Sequence, residues 1–226
     1  MGYMLVAGVM SLIGMFVSGR LKAKFAHYSQ IPTRGGMSGR EVAETMLLNY
    51  GINDVKVIPS QGFLSDHYNP INKTVALSPD VYNGRSVAAM AVAAHECGHA
   101  VQHATAYPLL KLRSGIVPLV KVSSQAQQFL LIMALGGFGA GISGSNTIIM
   151  ITIAAFAITA LFSFITLPVE FDASKRALVW MDQTNVAKGA EYDGAKDALQ
   201  WAAMTYVAAA LSALVMLLYL ITRLRD

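Results

Sequence analysis

From residue 122 to residue 169 the chain carries no Asp, Glu, Lys or Arg, a run of 48 positions. A bilayer core takes roughly 20 apolar residues per helical crossing, so this run fits two spans and a turn. Gly141-Ile142-Ser143-Gly144-Ser145-Asn146 supplies the turn. The stretch 147–167 after it is unbroken. The stretch before it carries Gln125, Gln127, Gln128 and the pair Gly136-Gly137, where glycine permits close helix contact. A second uncharged run covers 198–222. A third, 1–19, is followed by Arg20, Lys22 and Lys24. Basic residues after the apolar run, with no small-residue cleavage site, read as a signal anchor with its N-terminus outside. Composition agrees: 13% of residues are charged against about 25% in soluble domains, and mean hydropathy is +0.48. The expectation is a mostly α integral membrane protein with about four transmembrane helices: 1–19, a hairpin over 123–167, and 198–222.

Fifteen of the seventeen basic residues lie between Arg20 and Lys196. The positive-inside rule assigns that side to the cytoplasm, leaving the turn near Ser143 and the C-terminus outside. The same rule accounts for the net charge of +4. No basic cluster is interleaved with aromatics, so nucleic acid is not an expected partner.

Residues 25–115 are the stretch able to build a small α+β cytoplasmic domain. Ser38-Gly39-Arg40-Glu41 is a capping box opening a helix to about Asn49. Residues 54–58 alternate like a short strand, and 72–77 read as another, ended by Ser78-Pro79-Asp80. An exposed edge strand over Lys73, Thr74, Val75, Ala76 and Leu77 would pair with an extended peptide. The next helix starts near Ser86.

That helix carries His95-Glu96-Cys97-Gly98-His99 after a run of small apolar residues. Histidines at i and i+4 share a face about 6 Å apart along the axis, so both imidazoles reach one zinc. Glu96 is positioned to take a proton from water. Cys97 lies about 200° around the helix from each histidine and reads as packing. It is the chain's one cysteine, so no internal disulfide forms. Catalytic zinc takes three protein ligands and an open position. Candidates for the third are His103, Glu170, Asp172, His67 and Asp66. His103 lies about 12 Å from His95 along a straight helix, too far to share the ion. Glu170 follows the third span directly, where an unpaired carboxylate is costly.

The segment from His95 to His103, Pro168-Val169-Glu170-Phe171-Asp172-Ala173-Ser174, Leu64-Ser65-Asp66-His67-Tyr68 and the order of spans resemble the YugP-like, neutral zinc metallopeptidase family of membrane proteins. The chain is more distantly similar to HtpX and CAAX-type membrane gluzincins, where a second helix completes the site in the pattern glutamate-x-x-alanine-aspartate. The resemblance implies one zinc per chain held by His95, His99 and Glu170, with Ala173 at the alanine position. Ser174 stands where the gluzincins have aspartate, and Asp172 is the nearest substitute for orienting a histidine. With Glu96 as base, and His67, Tyr68 or His103 as oxyanion or second-sphere residues, the expected activity is endopeptidase cleavage at the cytoplasmic face of a bacterial inner membrane. The third ligand belongs to a cytoplasmic segment, 168–197. Expected partners are polypeptides, membrane proteins among them, and the lipid bilayer; the Gln- and Gly-bearing span hints at a homo-oligomer. The competing reading is a zinc-binding scaffold or regulator with weak catalysis, for which Glu96 is unnecessary. A zinc transporter fits less well, because the spans hold no histidine or charge.

Overall fold

The computed structural model describes residues 2–62, 64–135 and 146–225. Its elements in chain order are α1 (Gly2–Ser29), α2 (Gly39–Asn49), β1 (Lys56–Pro59), β2 (His67–Asn69), β3 (Thr74–Leu77), α3 (Pro79–Tyr82), α4 (Val87–Ala104), α5 (Pro108–Leu135), α6 (Asn146–Gln183) and α7 (Ala190–Arg225).

Three helices among the described residues are long and apolar enough to cross a membrane: α1 over Met4–Ser29, α6 over Met150–Gln183 and α7 over Ala190–Thr222. On α1 the side chains of Met4, Leu5, Val9, Leu12, Met15 and Phe16 are exposed. An apolar helix with so little protein cover suits a lipid neighbour. The other half of the expected hairpin begins in α5, which is not among the three; of the expected turn at 141–146, residues 141–145 lie outside the described residues and Asn146 begins α6. Gln127 of α5 donates to Ala155 O and Thr159 Oγ1 of α6 at 2.9 and 2.7 Å, a polar stitch between the two helices.

The helices outrun the sequence-based boundaries. Basic residues at 20, 22 and 24 do not end α1, because Phe25 continues into the core and Tyr28 packs against it. Pro168 does not end α6. Val169, Ala173, Ala177, Trp180 and Met181 form a buried stripe at helical spacing, and packing that stripe offsets the hydrogen bond proline removes. The expected segment 168–197 is therefore the end of α6, a short link and the first turns of α7. The link carries Asn185 and Gly189 at positive φ. The domain expected over 25–115 likewise overlaps α1 and the start of α5.

Between these helices lie α2, α3, α4 and the small sheet. The α2 capping box closes both ways: Glu41 N–H donates to Ser38 Oγ at 3.3 Å, and Ser38 N–H to Glu41 Oε2 at 2.7 Å. Such a cap contributes about 1 kcal/mol. Ser86 caps α4 by accepting from Ala89 N–H at 3.2 Å. The sheet has the order β1-β3-β2, with β3 parallel to β1 and antiparallel to β2. This corrects one expectation. Thr74, Val75, Ala76 and Leu77 form the central strand, and Lys73 sits in the turn before it at positive φ. With both sides of β3 paired, this segment has no free edge for a substrate strand.

Helix α4 is the axis of the fold. Val87, Ala88, Ala91, Ala93, Ala94 and Cys97 are fully buried. Its small residues let α2, α6, α7 and the sheet approach it from different sides. The closest approach is at Gly98, where an added Cβ would collide with the backbone carbonyl of Ala173 on α6. Glycine there lets the two backbones meet, and that contact faces the histidines of α4 toward the start of the buried stripe on α6.

Candidate metal centre

One helical turn on α4 separates His95 from His99. Their ring centroids lie 4.9 Å apart with an interplanar angle of 82°. Glu170 of α6 faces both, with Oε2 at 3.4 Å from His95 Nε2 and 3.5 Å from His99 Nε2. The three ligand atoms fall within 4.8 Å of one another. Among the described residues this is the group of His, Cys, Asp and Glu donors able to hold a metal ion.

The arrangement fits a cation. Glu170 is 2% exposed, and its Oε2 has no hydrogen-bond partner among the described residues. A buried, unsatisfied carboxylate oxygen is costly, and charge-assisted hydrogen bonds run shorter than these separations, about 2.7–2.9 Å. An ion between the three atoms would satisfy all of them. The other oxygen, Oε1, is held by the Arg113 guanidinium of α5 at 3.6 Å, which leaves Oε2 toward the histidines.

Each imidazole is oriented from behind. Gln102 Nε2 donates to Val169 O at 2.7 Å and to Asp172 Oδ2 at 2.8 Å. Both amide hydrogens are thus committed, so Gln102 Oε1, 3.0 Å from His99 Nδ1, must accept. His99 therefore carries its proton on Nδ1 and offers the Nε2 lone pair to the centre. Asp172 is held in turn by Arg176 Nε at 2.6 Å. His95 Nδ1 lies 3.0 Å from Ser174 Oγ, so this serine contacts a histidine itself. The Asp172 carboxylate reaches His99 through Gln102. Burial disfavours the charged form of His99, yet the neighbouring carboxylates of Glu170 and Glu96 outweigh it and raise its pKa. The carboxylates of Glu170 and Glu96 beside the imidazoles favour a cation.

Among the described residues, His103, His67 and Asp66 are not part of this group of ligand atoms. His103 is exposed and pairs with the Tyr68 hydroxyl at 2.7 Å from Nδ1. His67 Nδ1 lies 2.8 Å from Ser65 O. Asp66 accepts from Ser78 N–H at 2.7 Å and is also bonded by the Ser78 hydroxyl. Burial raises its pKa, and the Ser78 hydrogen bonds oppose that only in part.

A cavity of about 190 Å³ adjoins the centre, and its wall includes His95, Glu96, Glu170, Ser174 and Asp66. His103, His67 and Tyr68 are absent from that wall. Tyr206 of α7 is on it, and its charged neighbours are Glu170, Glu96 and Arg113. No spacing rule links residue 206 to residue 95, so nothing in the sequence pointed to it. Gln102 and Arg113 were missed too, although Gln102 follows His99 by one helical turn. The cavity also marks a level in the fold. Leu21, Glu170 and Ala198 line it, and each sits where its helix changes between charged and charge-free sequence.

A family described as "Putative neutral zinc metallopeptidase" matches residues 3–225. The chain belongs to this family. It is 41% identical over 199 residues to the protein named "Putative membrane protease YugP" of Bacillus subtilis (strain 168), an alignment spanning 88% of this chain and 86% of that one. No solved structure matches it. For a zinc metallopeptidase family, two histidines and one carboxylate are a donor set used by catalytic zinc.

Proposed function

We propose that this protein is a membrane-embedded, zinc-dependent endopeptidase working at the cytoplasmic face of a bacterial inner membrane. The observation carrying the reading is the orphaned Oε2 of buried Glu170, facing the Nε2 atoms of His95 and His99. These three atoms hold one zinc ion, in the gluzincin manner. When bound, zinc supplies the Lewis acidity that acidifies water and polarises a peptide carbonyl. Glu96, at the cavity wall, accepts the proton of the attacking water at its carboxylate and passes it to the leaving amine. The Tyr206 phenol donates to the carbonyl oxygen as negative charge develops there. Asp172, Gln102, Ser174 and Arg113 keep the ligands aimed.

Helix α5 starts beside α4 and is stitched to α6 through Gln127, and its residues from Val122 onward carry no charge, so α5 is read as one more crossing. With that crossing, α1, the α5–α6 hairpin and α7 make four spans around a zincin-like domain. The basic residues collect on the domain side, which the positive-inside rule assigns to the cytoplasm. Substrates are then polypeptides presented at or from the bilayer, and misfolded membrane proteins suit a quality-control role.

The test compares purified wild type with Glu96→Gln on an unfolded membrane-protein substrate, with zinc content measured in both. The expected result is a loss of cleavage of about 10²–10⁴-fold with zinc retained. Equal cleavage by both would overturn the mechanism. Zinc bound by both with no cleavage by either would favour a scaffold.

A further inference from the structure

We infer that the cavity beside Glu96 is the subsite for a large apolar side chain flanking the bond that is cut, an inference that rests on the peptidase reading above. Its wall away from the centre is apolar: Leu21 and Phe25 of α1, Val92 of α4, and Ala198, Leu199 and Ala202 of α7. Three of its polar residues already face partners within the protein. Glu170 faces the histidines, Ser174 contacts His95, and Asp66 is bonded by Ser78. A basic side chain entering the cavity would have to leave water for a largely apolar wall. An acidic side chain meets three carboxylates.

The volume sets the size. About 190 Å³ exceeds the roughly 150 Å³ of an apolar protein cavity known to take up benzene, so a phenylalanine or leucine side chain fits. Ala198, Ala202 and Ala203 of α7 line the cavity with short side chains. On the polar side, Asp197 of α7 binds the Tyr28 hydroxyl and Lys24 Nζ of α1, each at 2.7 Å. That clamp ties the two walls together where their charged segments begin. An apolar side chain gains by leaving water for such a wall, whereas a charged one loses its hydration. Most of that wall belongs to two membrane-capable helices, α1 and α7, so the favoured substrates are segments rich in large apolar residues.

The experiment uses full-length zinc-loaded protein in detergent and a short glycine-serine host peptide with one central variable residue. Cleavage products are identified by mass spectrometry. Phe and Leu at the variable position should raise kcat/KM at least about tenfold over Ala, with cleavage beside that residue, and Asp and Lys should fall below Ala. Ala202→Leu should lower the Phe-over-Ala ratio at least about tenfold with zinc content unchanged. A flat series in the wild type, or a preference for Asp or Lys, overturns the subsite whatever the variant does. If wild type and Glu96→Gln both cleave nothing, the peptidase reading fails separately. Calorimetric binding of the same peptides to zinc-loaded Glu96→Gln then decides the subsite. Binding of the Phe peptide about tenfold tighter than the Ala peptide supports it, and equal binding overturns it.

Discussion

The two histidines of the centre are held in different ways. His99 lies where α4 and α6 pack tightly, and Gln102, itself fully buried, fixes its Nδ1 proton through bonds to Val169 and Asp172. Arg176 then secures Asp172. His95 stands at the cavity wall beside Glu96, with a serine hydroxyl at its Nδ1. A hydroxyl can donate or accept, so it constrains the ring less than the amide does. The centre thus has an anchored half, built for geometry, and an accessible half, where a substrate can arrive. Glu170 joins the two.

Removing the joint should have the largest effect. Glu170→Gln is expected to drop zinc content from about one per chain to near zero after dialysis against a weak chelator; full retention would remove Glu170 from the centre. Next comes the accessible half. Tyr206→Phe is expected to lower kcat about 10²-fold with KM and zinc content unchanged, and a change in KM alone would mean that Tyr206 only contacts the substrate. The anchored half should answer in affinity instead. Gln102→Leu is expected to weaken zinc binding about 10–100-fold in a chelator competition, and Ser174→Ala by less than about tenfold. Equal losses would erase the asymmetry between the halves. The smallest effect concerns Cys97, on the far face of α4. Its thiol is buried, its pKa is pushed up by that burial, and Sγ lies 3.6 Å from Ala43 O. A thiol-alkylating reagent should leave it unmodified in the folded protein and label it on denaturation. Rapid native labelling would contradict the packing of α2 on α4.

Features written in local spacing were legible in the sequence. The shared face of His95 and His99, the Ser38–Glu41 box and the helix start near Ser86 each depend on residues within one or two helical turns. Glu170 stood out because a carboxylate at the edge of an apolar run needs a partner. Features set by tertiary pairing were not legible. The strand pattern at 72–77 is the same whether β3 lies at the edge or in the centre, and only its pairing with β1 and β2 decides. His67–Asn69 is too short and polar to read as a strand. Pro168 and Arg20 look like helix ends until the buried stripe of α6 and the packing of Phe25 are known. Gln102 and Tyr206 needed the fold, because their partners lie on other helices.

The most direct measurement is zinc K-edge X-ray absorption on the purified, zinc-loaded protein and on Glu170→Gln. The account predicts low-coordinate zinc with two imidazole nitrogens at about 2.0–2.1 Å and a carboxylate oxygen, and loss of bound zinc in the variant. A sulfur ligand at about 2.3 Å, or an unchanged spectrum in the variant, would contradict it.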